Sequence, residues 1–399
     1  MTTKLISNIQ QALRDFQIDG WLFCDYELRD PIAYTVLGID RDKLTTRRWY
    51  YFIPAEGEPI KLVHAIERNR LSELTGNTII YFGWVQMHAG LARLLPSKSR
   101  IAMQYSANND IPSVSFVDGG TIELVRSLGI EVVSSADLVQ LFVSRLTDDG
   151  ICLYKRAGEK IHQIKDEIFA VIFNKVSSGN RITEYDAQQF ILEQFDRENL
   201  TSDGMPPIVA VNAHAADPHF EPTPNNPKRI CVNDRILIDL WAKINSPSGI
   251  YYDITWCGYI GDTPPRDYVE LFYIVVQARD LGKNFIVENL RKGEKVFGWQ
   301  VDDVCRQYIT SKGHGDYFIH RTGHSIDTHV HGKGANLDNL ETRDTRQIIT
   351  DTCFSIEPGI YKGDVGVRSE ISVLVDRNKE IIIVGPEQEQ LVLPRSSKI

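Results

Sequence analysis

No run of apolar residues in this chain approaches the ~18 that a membrane span needs. The six cysteines, at 24, 152, 231, 257, 305 and 353, include no Cys-x-x-Cys pair, which predicts reduced, buried thiols in a cytoplasmic protein. Cationic excess is missing too. Lys plus Arg is 44 against 53 Asp plus Glu, a net charge of −9, so the chain has no overall electrostatic footprint for nucleic acid or an anionic membrane. The opening residues MTTKLISNIQQALRDFQ place Ile6, Ile9, Leu13 and Phe16 at helical spacing, with no apolar leader core and no small-residue cleavage site, and a cytoplasmic location is expected. Repeats and low-complexity tracts are absent, and only the Pro/Asn-rich stretch 221–227 reads as a long loop.

What is present is an ordinary globular balance: 42% apolar and 24% charged over 399 residues, enough for a sizeable core and for two or three domains. Residues 1–145 alternate helix and strand. Trp21–Cys24 is a short apolar run, and 49–53 and 61–63 flank the turn 54–59 as a hairpin. Further strands are expected at 78–82, 100–103 and 130–133, with a helix over 120–128. Near Leu146–Gly150 the pattern changes. A long amphipathic helix follows, with Ile161, Ile164, Ile168, Val171, Ile172 and Val176 on one face, ending at Ser177-Ser178-Gly179. Thr183 with Asp186 then caps a second helix. We therefore read two domains, 1–147 and 148–399. The later part holds the runs 236–240 and 250–255 around the turn cluster 245–249, a helix over 268–290, and strands at 354–357 and 367–375.

Five of the ten histidines fall between 314 and 331, a clustering that points to a metal site or a proton-transfer pocket. Acids sharpen the reading. Asp239, Asp253, Glu357 and Glu370 each interrupt an apolar, β-rich run. A turn centred near Ser246 makes Asp239 and Asp253 cross-strand neighbours on one face, where like charges repel unless a cation lies between them. Four carboxylates and an imidazole suit hard or borderline divalent ions and are enough for a pair of ions with bridging carboxylates. His64, His88 and His162 are isolated and read as structural, and His214, His314 and His329 as surface or supporting residues.

The order of these residues resembles the metallopeptidases of the pita-bread fold, which include aminopeptidase P, prolidase, methionine aminopeptidase and creatinase. The family's Asp, Asp, His, Glu, Glu series matches Asp239 at the end of Ile-Leu-Ile-Asp, Asp253 in Asp-Ile-Thr, and His324 after Gly323. It continues with Glu357 in Glu-Pro-Gly-Ile-Tyr and Glu370 in Val-Arg-Ser-Glu. The match spans 150–392. Residues 1–145 look like the extra domain of the prolidase and creatinase branch, which would wall the cleft and limit substrate length. The fold implied is an N-terminal creatinase-like α/β domain followed by a pita-bread domain, a curved antiparallel sheet flanked by helices.

The resemblance implies two divalent ions (Mn, Co, Fe or Zn) held by Asp239, Asp253, His324, Glu357 and Glu370, with Asp253 and Glu370 bridging. Glu357 would serve as general base and then acid. His219, in Pro-His-Phe, and His331, seven residues after His324, would hydrogen-bond the substrate and the developing tetrahedral centre. His320 and Arg368 would shape the pocket or hold a carboxylate. The implied activity is hydrolysis of the Xaa-Pro bond of dipeptides or short peptides through a metal-bridging hydroxide, by a chain expected to be a cytoplasmic homodimer with no nucleic-acid or membrane partner. The alternatives are a metal-dependent non-peptidase hydrolase or lyase acting on a small amide or amidine-like substrate, and an inactive binding module. Three departures bear on the substrate pocket. The two aspartates are 14 residues apart, a gain of three that includes Pro247; Trp256 stands where the family has Arg; and Gly332 follows His331 where the family has an acid.

Overall fold

In the first unit, six short strands pair into one sheet: β1 (Gly20–Asp25), β2 (Trp49–Pro54), β3 (Ile60–His64), β4 (Asn77–Tyr81), β5 (Arg100–Met103) and β6 (Glu131–Ser134). Their order is β4-β3-β2-β1-β5-β6, with every pair parallel except those β2 makes with β1 and β3. The computed structural model describes residues 3–225 and 227–394. The chain divides into two compact units, Met1–Val143 and Ser144–Ile399.

Alternate side chains leave a strand on opposite faces, and both faces of this sheet are buried. Trp21, Phe23, Trp49 and Tyr51 pack beneath α1 (Thr3–Asp15), α2 (Pro31–Leu37) and the short α5 (Ala136–Val139). Leu22, Cys24, Tyr50 and Leu62 pack beneath α3 (Trp84–Leu94) and α4 (Gly119–Ser127). On α1, Ile6, Ile9 and Leu13 face the core as their spacing requires, whereas Phe16 lies past the last helical residue and is 39% exposed.

The second unit opens with α6 (Asp148–Ser177). Thr147 caps it by accepting the Gly150 amide, and Ile161, Ile164, Ile168 and Ile172 are buried along one stripe. The helix α7 (Glu184–Arg197) carries the expected reciprocal cap between Thr183 and Asp186. The strands β7 (Leu200–Thr201) and β8 (Ile208–Val211) each pair with β9 (Arg235–Ile244), which pairs on its other edge with β10 (Tyr252–Tyr259). Two more helices follow, α8 (Arg266–Arg291) and α9 (Gly298–Ser311). A second sheet joins β11 (Ser325–Ile326), β12 (Thr352–Ile356), β15 (Ile371–Val375) and β16 (Ile381–Ile382), and β13 (Gly359–Lys362) and β14 (Val365–Arg368) form a separate ribbon.

Several expectations are corrected. The β9–β10 hairpin pairs Asp239 with Thr255 and Trp241 with Asp253, so the two aspartates are diagonal rather than directly opposed. The cause is a turn longer than expected. Ile250 and Tyr251 do not join the strand, and the Tyr251 amide donates to Asp327 O at 3.1 Å. A shift of the turn centre by one residue moves cross-strand partners by two, which preserves the face. The run 367–375 is broken at Ser369-Glu370 into two strands of different sheets. Cys152 and Cys231 are exposed, unlike the other four cysteines. The stretch 221–227 holds no helix or strand in its described residues, and Asn226 lies outside them.

Candidate metal centre

The nine residues singled out from the sequence line one cavity of about 420 Å3 in the second unit: Asp239, Asp253, His324, Glu357, Glu370, His219, His331, His320 and Arg368. Each arrives by a local device. Asp239 and Asp253 share one face of the β9–β10 hairpin. Glu357 and Glu370 sit where strands end, between β12 and β13 and between β14 and β15. In such breaks a side chain is freed from the alternation of either strand. Gly323 lets the backbone before His324 run against Ser355 O, where a Cβ would overlap it, and the Ser355 hydroxyl accepts the His324 amide at 2.9 Å.

Several polar atoms at the centre lack partners. Asp253, His324 and Glu370 each present a ligand atom within 4.8 Å of the others. His324 Nδ1 lies 3.2 Å from Ser325 O, a contact that places the ring proton on Nδ1. Its Nε2 lone pair then faces Glu357 Oε1 at 3.3 Å and Asp253 Oδ2 at 3.7 Å. A bare nitrogen aimed at carboxylates is repelled unless a cation or proton lies between. Asp239 Oδ1, Asp253 Oδ1 and Glu370 Oε1 are buried with no hydrogen-bond partner. Burial pushes the Asp253 carboxyl well up, and the charges of Asp239 and Glu357 push it further. Burial and then Asp253 do the same to Glu370. Burial raises Asp239 and Glu357 against the pull of Arg368, and burial holds His324 down at about 3, neutral and able to ligate. The guanidinium of Arg368 alone cannot balance four acids, whereas two divalent ions bring four positive charges. The donor set therefore fits the metal pair that the sequence implies.

Arg368 and His320 are engaged within the protein. Arg368 Nη2 donates to Asp239 Oδ2 at 2.5 Å, Nε to Thr255 Oγ1 at 3.0 Å and Nη1 to Tyr361 Oη at 2.9 Å. Tyr361 Oη also meets His320 Nε2 at 2.9 Å, and His320 Nδ1 lies 2.7 Å from Arg321 O. Directions follow. Nδ1 donates to the carbonyl, so Nε2 accepts the Tyr361 proton, and the phenol oxygen accepts from Arg368. Burial, then the Arg368 charge, holds His320 down at about 3, consistent with a neutral acceptor. His331 packs edge-on against His324, ring centroids 4.4 Å apart, and His219 stands exposed at the rim.

The residues missed from the sequence are those holding the cluster together. Thr255 donates to Glu370 Oε2 at 2.8 Å, Ser355 to Glu357 Oε1 at 3.0 Å, and Ser372 accepts the Asp253 amide at 2.9 Å. Thr255 and Tyr361 were inside the Asp-Ile-Thr and Glu-Pro-Gly-Ile-Tyr strings, so a signal was there to read. Tyr361→Phe leaves the His320 acceptor and an Arg368 N–H unpartnered. It is expected to cost about 1–3 kcal/mol, seen as a lower urea midpoint, with metal content unchanged.

Comparison with known proteins shows the family. The model of metallopeptidase family M24 matches residues 153–377, more than half of the chain, and the chain belongs to that family. Among curated relatives, the Xaa-Pro dipeptidase of Lactobacillus helveticus is 27% identical over 64% of this chain and 65% of its own length. The Xaa-Pro dipeptidase of Pyrococcus furiosus is 28% identical over 58% of this chain and 62% of its own. The chain spans between 53% and 65% of the length of the first curated relatives it matches. Among solved structures, dipeptidase PepE from Mycobacterium ulcerans superposes with a TM-score of 0.69, at 22% identity and over 98% of this chain and 97% of that one. The recombinant prolidase from Thermococcus sibiricus gives 0.64 at 21% identity, over 99% and 100%. The architecture is thus the mixed α/β arrangement of a creatinase-like unit and a pita-bread unit.

Proposed function

We propose that the protein is a dinuclear metal-dependent peptidase that hydrolyses the Xaa-Pro bond of dipeptides or short peptides. The observation that carries this is the convergence of four carboxylates and the bare His324 Nε2 in one buried pocket, with three carboxylate oxygens unpartnered. Asp239, Asp253, His324, Glu357 and Glu370 are the proposed ligands. Divalent ions bound there supply a nucleophile from water at neutral pH and polarise the scissile carbonyl.

The chain's own residues divide the remaining work. Glu357, oriented by the Ser355 hydroxyl, takes the proton from the attacking water and returns it to the leaving nitrogen. His331 and His219 donate hydrogen bonds to the substrate and the developing oxyanion. Arg368 fixes Asp239, and with His320 shapes the pocket. The reading assigns catalysis to residues 148–399 and gives 1–147 the role of limiting substrate length. It includes a homodimer and manganese among the ions used, both resting on the family resemblance, and a cytoplasmic location, resting on the cysteine pattern; among the described residues no helix is long and apolar enough to cross a membrane. Turnover of Xaa-Pro dipeptides and of longer Xaa-Pro-Xaa peptides with added Mn²⁺, Co²⁺ or Zn²⁺ is the direct assay. Cleavage of either set is expected. No cleavage of either by a metal-loaded sample contradicts the proposal.

A further inference from the structure

The first unit holds a larger cavity, about 810 Å3, lined only by its own residues. It opens at the carboxyl ends of β1, β3 and β4, where Asp25, His64 and Tyr81 end their strands, and where α3 and α4 begin. In open α/β sheets this edge is the usual seat of small ligands, since helix N-termini converge on it.

Its lining includes Arg48 and the start of α3. Gly83 is the N-cap of the 11-residue α3 and brings no side chain to its first amides, which leaves the positive end of the helix open. Tyr81, two residues earlier, donates to Arg48 O at 2.7 Å. That bond holds the Arg48 backbone; the Arg48 side chain lines the same cavity, and its guanidinium makes no hydrogen bond or ion pair among the described residues. His88 lines the same cavity and packs edge-on against Trp84, ring centroids 5.5 Å apart.

Three acids also line the cavity: Asp118 is engaged by the amide and hydroxyl of Thr121. Asp25 is fully committed: its oxygens accept the amides of Leu28, Arg29 and Asp30 and the Tyr34 hydroxyl. Asp30 is not. Its Oδ1 caps α2 through the Ile32 and Ala33 amides, while Oδ2 is buried with no partner. The residue is 2% exposed, and burial pushes its carboxyl up to about 7. Phe82 and Trp84 add apolar surface, 68% and 67% exposed. The cavity thus joins a buried carboxyl oxygen without a donor, aromatic walls, an arginine without an acceptor, and an uncapped helix end.

We propose that this cavity binds a small zwitterion, a short peptide with free ends, with its ammonium on Asp30 and its carboxylate between Arg48 and the start of α3. The inference is independent of the peptidase reading, because no proposed metal ligand lines the cavity.

Calorimetric titration of the full chain with the dipeptide Phe-Phe, which has no Xaa-Pro bond, tests it against N-acetyl-Phe-Phe and Phe-Phe-amide. Wild type should bind Phe-Phe, and each blocked form at least tenfold more weakly. Asp30→Asn keeps the cap, since Asn caps as well as Asp. It should weaken Phe-Phe at least tenfold and abolish discrimination against the acetylated form. Arg48→Gln, a change at an exposed side chain, should abolish discrimination against the amide. It carries the test with the blocked peptides should Asp30→Asn fail to fold. Absence of binding, equal binding of all three peptides, or binding that neither substitution alters overturns the proposal; the last result would place the dipeptide elsewhere on the chain.

Discussion

Asp253→Ala and Glu370→Ala are expected to lose hydrolysis of Xaa-Pro peptides by roughly 10³-fold or more, the several kcal/mol that a metal site contributes to the transition state. Folding should survive. Both side chains are buried with an unpartnered oxygen, and both are held up in pKa by burial and by the neighbouring acids. Removing one therefore relieves repulsion when no cation is bound, and the melting temperature in chelator should stay level or rise. With metal added the order reverses. Wild type gains stability by mass action, about 2.7 kcal/mol at a hundred times the dissociation constant, and the variants gain less. Activity, elemental analysis and thermal melting with and without chelator check the three parts. A variant that melts lower than wild type in chelator contradicts the electrostatic account.

Arg368→Ala should be the more damaging change to the fold. Arg368 is 4% exposed, and it alone joins Asp239, Thr255 and Tyr361. Its loss strands a buried carboxylate, at a cost of about 3–5 kcal/mol, read as a fall in the urea midpoint. Activity should drop further, since outer partners of metal ligands are worth about 10–100-fold. Arg368→Lys should fall between, because an ammonium retains charge beside Asp239 but cannot hold three acceptors in the planar geometry of a guanidinium. Equal stability of wild type and Arg368→Ala in chelator would contradict this role.

The legible part of the sequence was what local pattern encodes. The stripe on α6, the Thr183–Asp186 cap and the β2–β3 hairpin follow from spacing and capping chemistry, as does the presence of acids inside apolar strands. What was not legible depended on partners distant in sequence. The β9–β10 register turned on where Tyr251 found a hydrogen-bond acceptor, and that acceptor is Asp327 O. The link from Arg368 to Asp239 crosses 129 residues, and no local rule marks it. Glu370 read as an acid within one strand, whereas the chain changes sheets there. One family departure takes part in these contacts: the lengthened hairpin touches the 325–329 segment through the Tyr251 amide on Asp327 O and through Lys243 Nζ on Thr328 O at 2.7 Å. The cavity of the first unit has no sequence signature, because Asp30, Arg48 and Gly83 share no motif and line one cavity only once the sheet has formed.

On the proposed function, the buried carboxylates hold two ions on which hydrolysis depends. Equilibrium dialysis of chelator-stripped protein against Mn²⁺, with bound metal and Xaa-Pro turnover read on the same samples, tests it most directly. Two ions per chain are expected, with turnover rising as they bind. Full turnover with no bound metal, or with one ion and no second site, would contradict it.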